Sequence, residues 1–128
     1  MNGWAGQRLR VDLTTGKITK EPHSYEYRRK WIGGRGYNSD VIYNEVPANL
    51  DPYDPKARVC FGVGPVSGTA APSTGRVTVT AKSPLTGGFG DSTWVVTGEQ
   101  SLNMLVMIRL LYRVEQKNLY ISGLMMTK

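Results

Sequence analysis

The sequence predicts an α+β fold, rich in strands and small enough to have one core. Three observations lead there. Residues 7–20 alternate apolar and polar side chains around a turn, residues 24–45 carry helix start and stop signals, and residues 58–82 return to strand periodicity. At 128 residues there is room for one domain with a modest core, and little for two.

Each element has a local reason. In the first hairpin Leu9, Val11 and Leu13 alternate with polar residues, Thr14-Thr15-Gly16-Lys17 makes the turn, and Ile18 begins the return strand. Gly16 supplies the positive φ that such a turn needs. Ser24 is placed to cap a helix over residues 25–32, which Gly33-Gly34-Arg35-Gly36 should stop. A second helix is expected over residues 38–45, with Val41, Ile42 and Val46 toward the core, before Pro47, Pro52 and Pro55 enforce a loop. Residues 58–63 read as a buried strand ended by Gly64-Pro65. Residues 75–82 read as another, with Val77 and Val79 on one face and Arg76, Thr78 and Thr80 on the other. Loops of small residues follow both strands, over residues 64–75 and 83–92, and such loops let backbone amides approach a ligand closely. Beyond them, an amphipathic helix over residues 102–112 and a short strand over residues 119–121 are expected.

Sixteen basic against ten acidic residues give a formal charge of +6, which permits an anionic partner. The dense basic run Arg28-Arg29-Lys30 reads as a solvated helix face. The alternative is a small anion-binding or nucleic-acid-binding module that uses these three residues together with Arg76. The single cysteine, Cys60, lies in an apolar stretch and reads as a buried structural thiol, unable by itself to build a disulfide or a cluster site. The first residues lack the apolar core of a secretory signal, and no apolar run is long enough to span a bilayer, so a reducing, cytoplasmic setting is expected.

Few motifs carry chemistry. Gly33-Gly34-Arg35-Gly36 has the look of a phosphate loop, but it follows a helix and lacks the dinucleotide spacing. His23 has no partner at ligand or nucleophile spacing and reads as a surface residue, and Asp12, Asp51 and Asp54 read as turn and loop acids. Arg76 admits two readings. It is either a surface arginine on an exposed strand face, or a planar charged fork that grips a phosphate beside the Ser73-Thr74-Gly75 loop.

Five blocks taken together resemble one family. Gly3-Trp4-Ala5-Gly6, residues 9–16, Gly33-Gly34-Arg35-Gly36, Gly64-Pro65 and residues 71–92 are similar, in order and spacing, to the N-terminal domain of the tungsten-dependent aldehyde ferredoxin oxidoreductases. The resemblance covers about residues 1–92. It implies a β-rich platform under a tungsten bis-pterin cofactor, in an enzyme that oxidises aldehydes to carboxylic acids. Electrons would pass through a 4Fe-4S cluster to ferredoxin, with neither nucleic acid nor membrane as partner. It also implies that Arg76 contacts the pterin phosphates and that Thr93 stands where the family has a cofactor-contacting asparagine. No catalytic residue and no metal ligand is carried over, and the cluster ligands are absent from this chain.

After Ser92 the sequence changes character. All seven prolines and thirteen of the fifteen glycines precede Thr93, whereas four of the five methionines follow it. Where the family continues with the asparagine and a Gly-Gly pair, this chain has Thr93, Trp94, Val95 and Val96. Rereading the codons across their boundaries restores family residues. Trp94 before Val95 forces a glycine codon, Met107 before Ile108 forces an aspartate codon, and the junctions over residues 116–123 permit family residues. Residues 93–128 are therefore expected to be an out-of-frame tail on a partial domain, and the fragment to be inactive and poorly stable.

Overall fold

The computed structural model of the chain describes residues 4, 6–67 and 71–95, and the backbone of 118–122. Six strands and two helices are present in these residues: β1 (Gln7–Asp12), β2 (Ile18–Pro22), α1 (Tyr25–Trp31), α2 (Arg35–Glu45), β3 (Val59–Val63), β4 (Arg76–Lys82), β5 (Phe89–Val95) and β6 (Asn118–Ser122). The strands form one sheet in the order β2-β1-β6-β3-β4-β5. All pairings are antiparallel except β3 with β6, which is parallel. The fold is α+β.

The hairpin forms as its pattern dictates, with Val11 opposite Ile18 and Gln7 opposite Pro22. Asp12 fixes the turn, since its carboxylate accepts from the Thr14 and Thr15 amides and from the Thr15 hydroxyl, and these bonds lower its pKa. Ser24 caps α1 by accepting from the Tyr27 amide at 3.1 Å.

Two departures from the sequence reading are informative. The second helix begins at Arg35, three residues earlier than expected, because Gly33-Gly34 both ends α1 and starts α2. Gly34, at φ 52°, turns the chain and also serves as the N-cap residue. Residues 89–95, expected largely as loop, form β5 along the whole of β4, with Trp94 opposite Val77. Its burial pattern is mostly exposed, as befits an edge strand, so it lacks the apolar alternation that marks β4. The strand expected over residues 119–121 is β6, placed between β1 and β3, whereas the helix expected over residues 102–112 lies outside the described residues.

Apolar residues pack on both faces of the sheet. On one, Val11, Phe61 and Val77 are buried with Leu9, Leu13, Val59, Val63, Val79 and Trp94 around them, and Trp94 meets Phe61 edge-on at 6.3 Å. On the other, Cys60 packs under Val41, Ile42 and Val46 of the α2 segment. Asn38 of α2 is fully buried there. Its amide donates to the Cys60 and Thr78 carbonyls and to the Thr80 hydroxyl at 3.3, 3.1 and 3.0 Å, which ties the helix to both β3 and β4. Among the described residues, no helix is long and apolar enough to cross a membrane.

Candidate functional site

The end of the sheet where β3 stops and β4 starts is built by short polar contacts. Gly34 donates its N–H to the Val63 carbonyl at 2.9 Å, so the first turn of α2 rests on the last residue of β3. After Gly64 the chain turns, with the Ser67 amide donating to the Gly64 carbonyl. Hydroxyls then brace the loop, since Ser67 donates to the Thr74 carbonyl at 2.9 Å and Thr74 to the Ala71 carbonyl at 2.8 Å. Arg76 leaves this braced loop with its own N–H donating to the Thr74 carbonyl.

Arg76 is exposed as the first residue of β4, and its guanidinium makes no ion pair or hydrogen bond with the described residues. Thr93 lies on the neighbouring strand opposite Thr78, their hydroxyls 3.4 Å apart. Alternation places Arg76, Thr78, Thr80 and Thr93 on the sheet face that carries α2. The structure thus brings Arg76 and Thr93 to one corner of one face. Among the described residues this corner offers an unpaired planar cation, a hydroxyl and a rigid backbone, which suit an anionic oxygen. Arg35, the charged member of Gly33-Gly34-Arg35-Gly36, pairs with Asp91 of β5, two residues before Thr93.

That glycine segment is a packing junction. A Cβ on Gly36 would fall well inside contact distance of the Trp31 carbonyl, where the end of α1 meets the start of α2. The basic run lies on α1, where Arg29 sits over the Tyr25 ring and Lys30 over the Trp31 ring, as a solvated face would have it. Asp51 and Asp54 accept backbone amides within their own turns. Among the described residues, no group of three His, Cys, Asp or Glu side chains could hold a metal ion.

His23 corrects its sequence reading. It is buried at 8% exposure, stacked on Tyr37 at 4.9 Å and tilted against Tyr27 at 4.7 Å. Burial, with Arg8 and Arg28 nearby, pushes its pKa down to about 4. Cys60 is the inert thiol that was expected, fully buried and pushed up to about 12 by desolvation. Asn38, expected as the start of a helix, is also the buried tie between helix and sheet. Its spacing of three and four from Val41 and Ile42 was the available signal that it faces the core. At the other end of β4, a cleft of about 590 Å³ lies between Ile42, Tyr43, Val46, Pro47, Lys82 and Phe89. Its walls are largely apolar, and neither candidate residue reaches it.

Comparison with known proteins agrees with the resemblance. Residues 8–105 match the family described as aldehyde ferredoxin oxidoreductase, N-terminal domain, a match that runs past Ser92 into the segment assigned above to another reading frame. The tungsten-containing aldehyde ferredoxin oxidoreductase of Pyrococcus abyssi is 42% identical over 87 residues, which is 68% of this chain and 14% of that protein. The glyceraldehyde-3-phosphate:ferredoxin oxidoreductase of Pyrococcus furiosus is 42% identical over 55 residues, 43% of this chain and 8% of that protein. The chain therefore spans only a small part of the length of these relatives. Among solved structures, the active site complex BamBC of benzoyl coenzyme A reductase, in complex with 1,5-dienoyl-CoA, has a TM-score of 0.73. The overlap is 95% of this chain and 17% of that one at 23% identity, a likeness of fold.

Proposed function

The chain belongs to the aldehyde ferredoxin oxidoreductase family by its N-terminal domain, and we propose that it is part of an oxidoreductase whose full-length form converts aldehydes to carboxylic acids. In that reaction water supplies the added oxygen, two electrons leave for ferredoxin and two protons for solvent. The carrying observation is the exposed guanidinium of Arg76, unpaired among the described residues and held at the start of β4 by a loop that the Ser67 and Thr74 hydroxyls brace.

The residues present fit the phosphate-bearing part of a tungsten bis-pterin group. Arg76 would hold a pterin phosphate through paired N–H donors, a charge-assisted contact that lysine cannot reproduce. Thr93 offers one hydroxyl where the family has an asparagine, so its contact is the weaker one. When bound, the cofactor supplies two-electron redox chemistry at the metal. This chain's part is to orient and neutralise the phosphate end. Its one cysteine is buried and raised in pKa, so the four thiolates of a 4Fe-4S cluster belong to residues outside this chain. On this reading the 128-residue chain does not turn over aldehyde alone.

Residues 93–128 are read as translated from a shifted frame, on the strength of the two forced codons and the change in composition after Ser92. The test is to sequence the gene across codon 93, restore one base and express the product. Continuation into cysteine-bearing family sequence, with tungsten and pterin retained by the restored protein and lost on Arg76→Ala, supports the proposal. An adjacent frame that closes within a few codons overturns the frame reading. Equal cofactor retention in the Arg76→Ala protein overturns the role of Arg76.

A further inference from the structure

Helix α1 sits shallowly on the fold. None of its residues is fully buried, and an aromatic cluster joins it to α2. The His23 ring, just before α1, contacts Tyr27 of α1 at 4.7 Å and Tyr37 of α2 at 4.9 Å, and Tyr27 and Tyr37 lie 5.3 Å apart. The Tyr27 hydroxyl donates to Asp40 of α2 at 2.6 Å. Two polar atoms inside the cluster, His23 Nε2 and the Tyr37 hydroxyl, have no hydrogen-bond partner among the described residues. Such atoms carry their full desolvation cost in the closed state.

The connection from α1 to α2 is also strained. Ile32 has φ 62° and ψ −60°, and the Gly33 amide donates to the Trp31 carbonyl across it at 2.7 Å. This is the rare γ-turn conformation, and Ile32 is β-branched, for which a positive φ is especially unfavourable. At this point the Trp4 indole N–H donates to the Ile32 carbonyl at 2.6 Å. On a strained connection, opening of the aromatic cluster loosens α1 from α2.

We propose that His23, Tyr27 and Tyr37 form an acid-sensitive latch, which opens when His23 is protonated and lets α1 swing away from α2 about the Ile32–Gly33 junction. The groups that face the imidazole decide the direction. Arg8 of β1 and Arg28 of α1 oppose a positive charge there, whereas Glu21 of β2 and Asp40 of α2 favour it, and Asp40 is already engaged by Tyr27. Burial and the two arginines prevail, so the ring is held neutral in the closed form, with a pKa near 4. Protonation therefore selects the open form, in which the ring reaches water.

The chain has one histidine, so its ring proton signals report this group alone. The test follows the His23 resonance and the amide exchange of α1 and α2 by NMR on the full chain, from pH 7.5 to 3.5. His23→Phe keeps an aromatic ring and cannot titrate. The expected result is a His23 midpoint well below 6 and, on protonation, at least a tenfold rise in α1 exchange beyond the intrinsic pH effect. Amides of β3 and β4 stay protected, and the variant shows no such α1 transition. A wild-type midpoint at 6 or above overturns the proposal, whatever the variant's folding. So does α1 protection that is unchanged through His23 titration, or an α1 transition in His23→Phe at the same pH.

Discussion

Replacing Gly62 with alanine tests how α2 is seated. A Cβ at this position would stand 2.5 Å from the Gly34 carbonyl oxygen, 2.7 Å from Asn38 Oδ1 and 2.9 Å from the Gly34 carbonyl carbon. Two of the three are backbone atoms at the start of α2, so no side-chain rotation relieves the clash. Recovering ordinary van der Waals separation requires the first turn of the helix to lift by about 1 Å. Asn38 bonds to its three acceptors at 3.0–3.3 Å, and that lift carries them beyond bonding distance. Overpacking costs about 1–3 kcal/mol, and the loss of these three bonds from a buried amide about 1–3 kcal/mol more. The expected loss is about 2–6 kcal/mol, a large share of the total of roughly 5–15 kcal/mol for a domain. Urea unfolding followed by circular dichroism measures it, with Gly88→Ala as the control, since its nearest neighbour would be the Thr86 hydroxyl at 3.5 Å. A slope of about 1–3 kcal/mol per molar urea turns the loss into a midpoint drop on the order of 1 M or more. Equal midpoints for the two variants would mean that α2 is not seated on Gly62, and the account of the helix–sheet contact would fail.

Glu45 gives a pH prediction of known sign. Burial pushes its carboxyl up, but hydrogen bonds and charge from Arg10 and Arg58 outweigh that and leave its pKa lowered. Its contribution is therefore present above the ordinary value of 4.5 and is lost as pH falls through the lower folded value. Glu45→Gln should cost about 1–2 kcal/mol at pH 7 and progressively less toward pH 3, as read from urea midpoints; a penalty that does not change with pH contradicts this. Cys60 is fully buried with its thiol pushed up to about 12, so at pH 8 the folded chain should react with a disulfide reagent only as fast as it opens. Rapid labelling without denaturant would show the thiol to be accessible.

Elements whose cause is local were legible in the sequence. The β1–β2 hairpin follows from two-residue alternation and the Asp12 turn, α1 from the Ser24 cap, and β4 from Val77 and Val79 alternating with Arg76, Thr78 and Thr80. What escaped depended on partners far along the chain. β5 carries no apolar alternation because it is an edge strand, and its register comes from β4. Burial of His23 is made by Tyr27 and Tyr37, one of which lies on the other helix. A lone polar ring in the sequence gives no sign of that. For the candidate site, the exposed guanidinium of Arg76 could be anticipated from its place at a strand start. The place of Thr93 beside it came through the family resemblance, since no pattern in residues 89–95 marks a functional hydroxyl.

Two of the glycine-bearing blocks that carry the resemblance do their work in the architecture rather than at a ligand. Gly33-Gly34-Arg35-Gly36 folds the chain back from α1 and lays α2 on β3, and Gly64-Pro65 follows the carbonyl of Val63 that accepts the Gly34 amide. Gly62, two residues earlier, gives the helix room to approach. Asn38 then extends the same contact to β4, the strand that begins with Arg76. A long, rotatable side chain grips an anion well only when its backbone is fixed in place. The seat of α2 on β3 and β4 fixes the strand that Arg76 begins, while Ser67 and Thr74 fix the loop before it. On this argument, loosening Gly62 or Asn38 should weaken the phosphate capture proposed for Arg76 without touching a single contact atom.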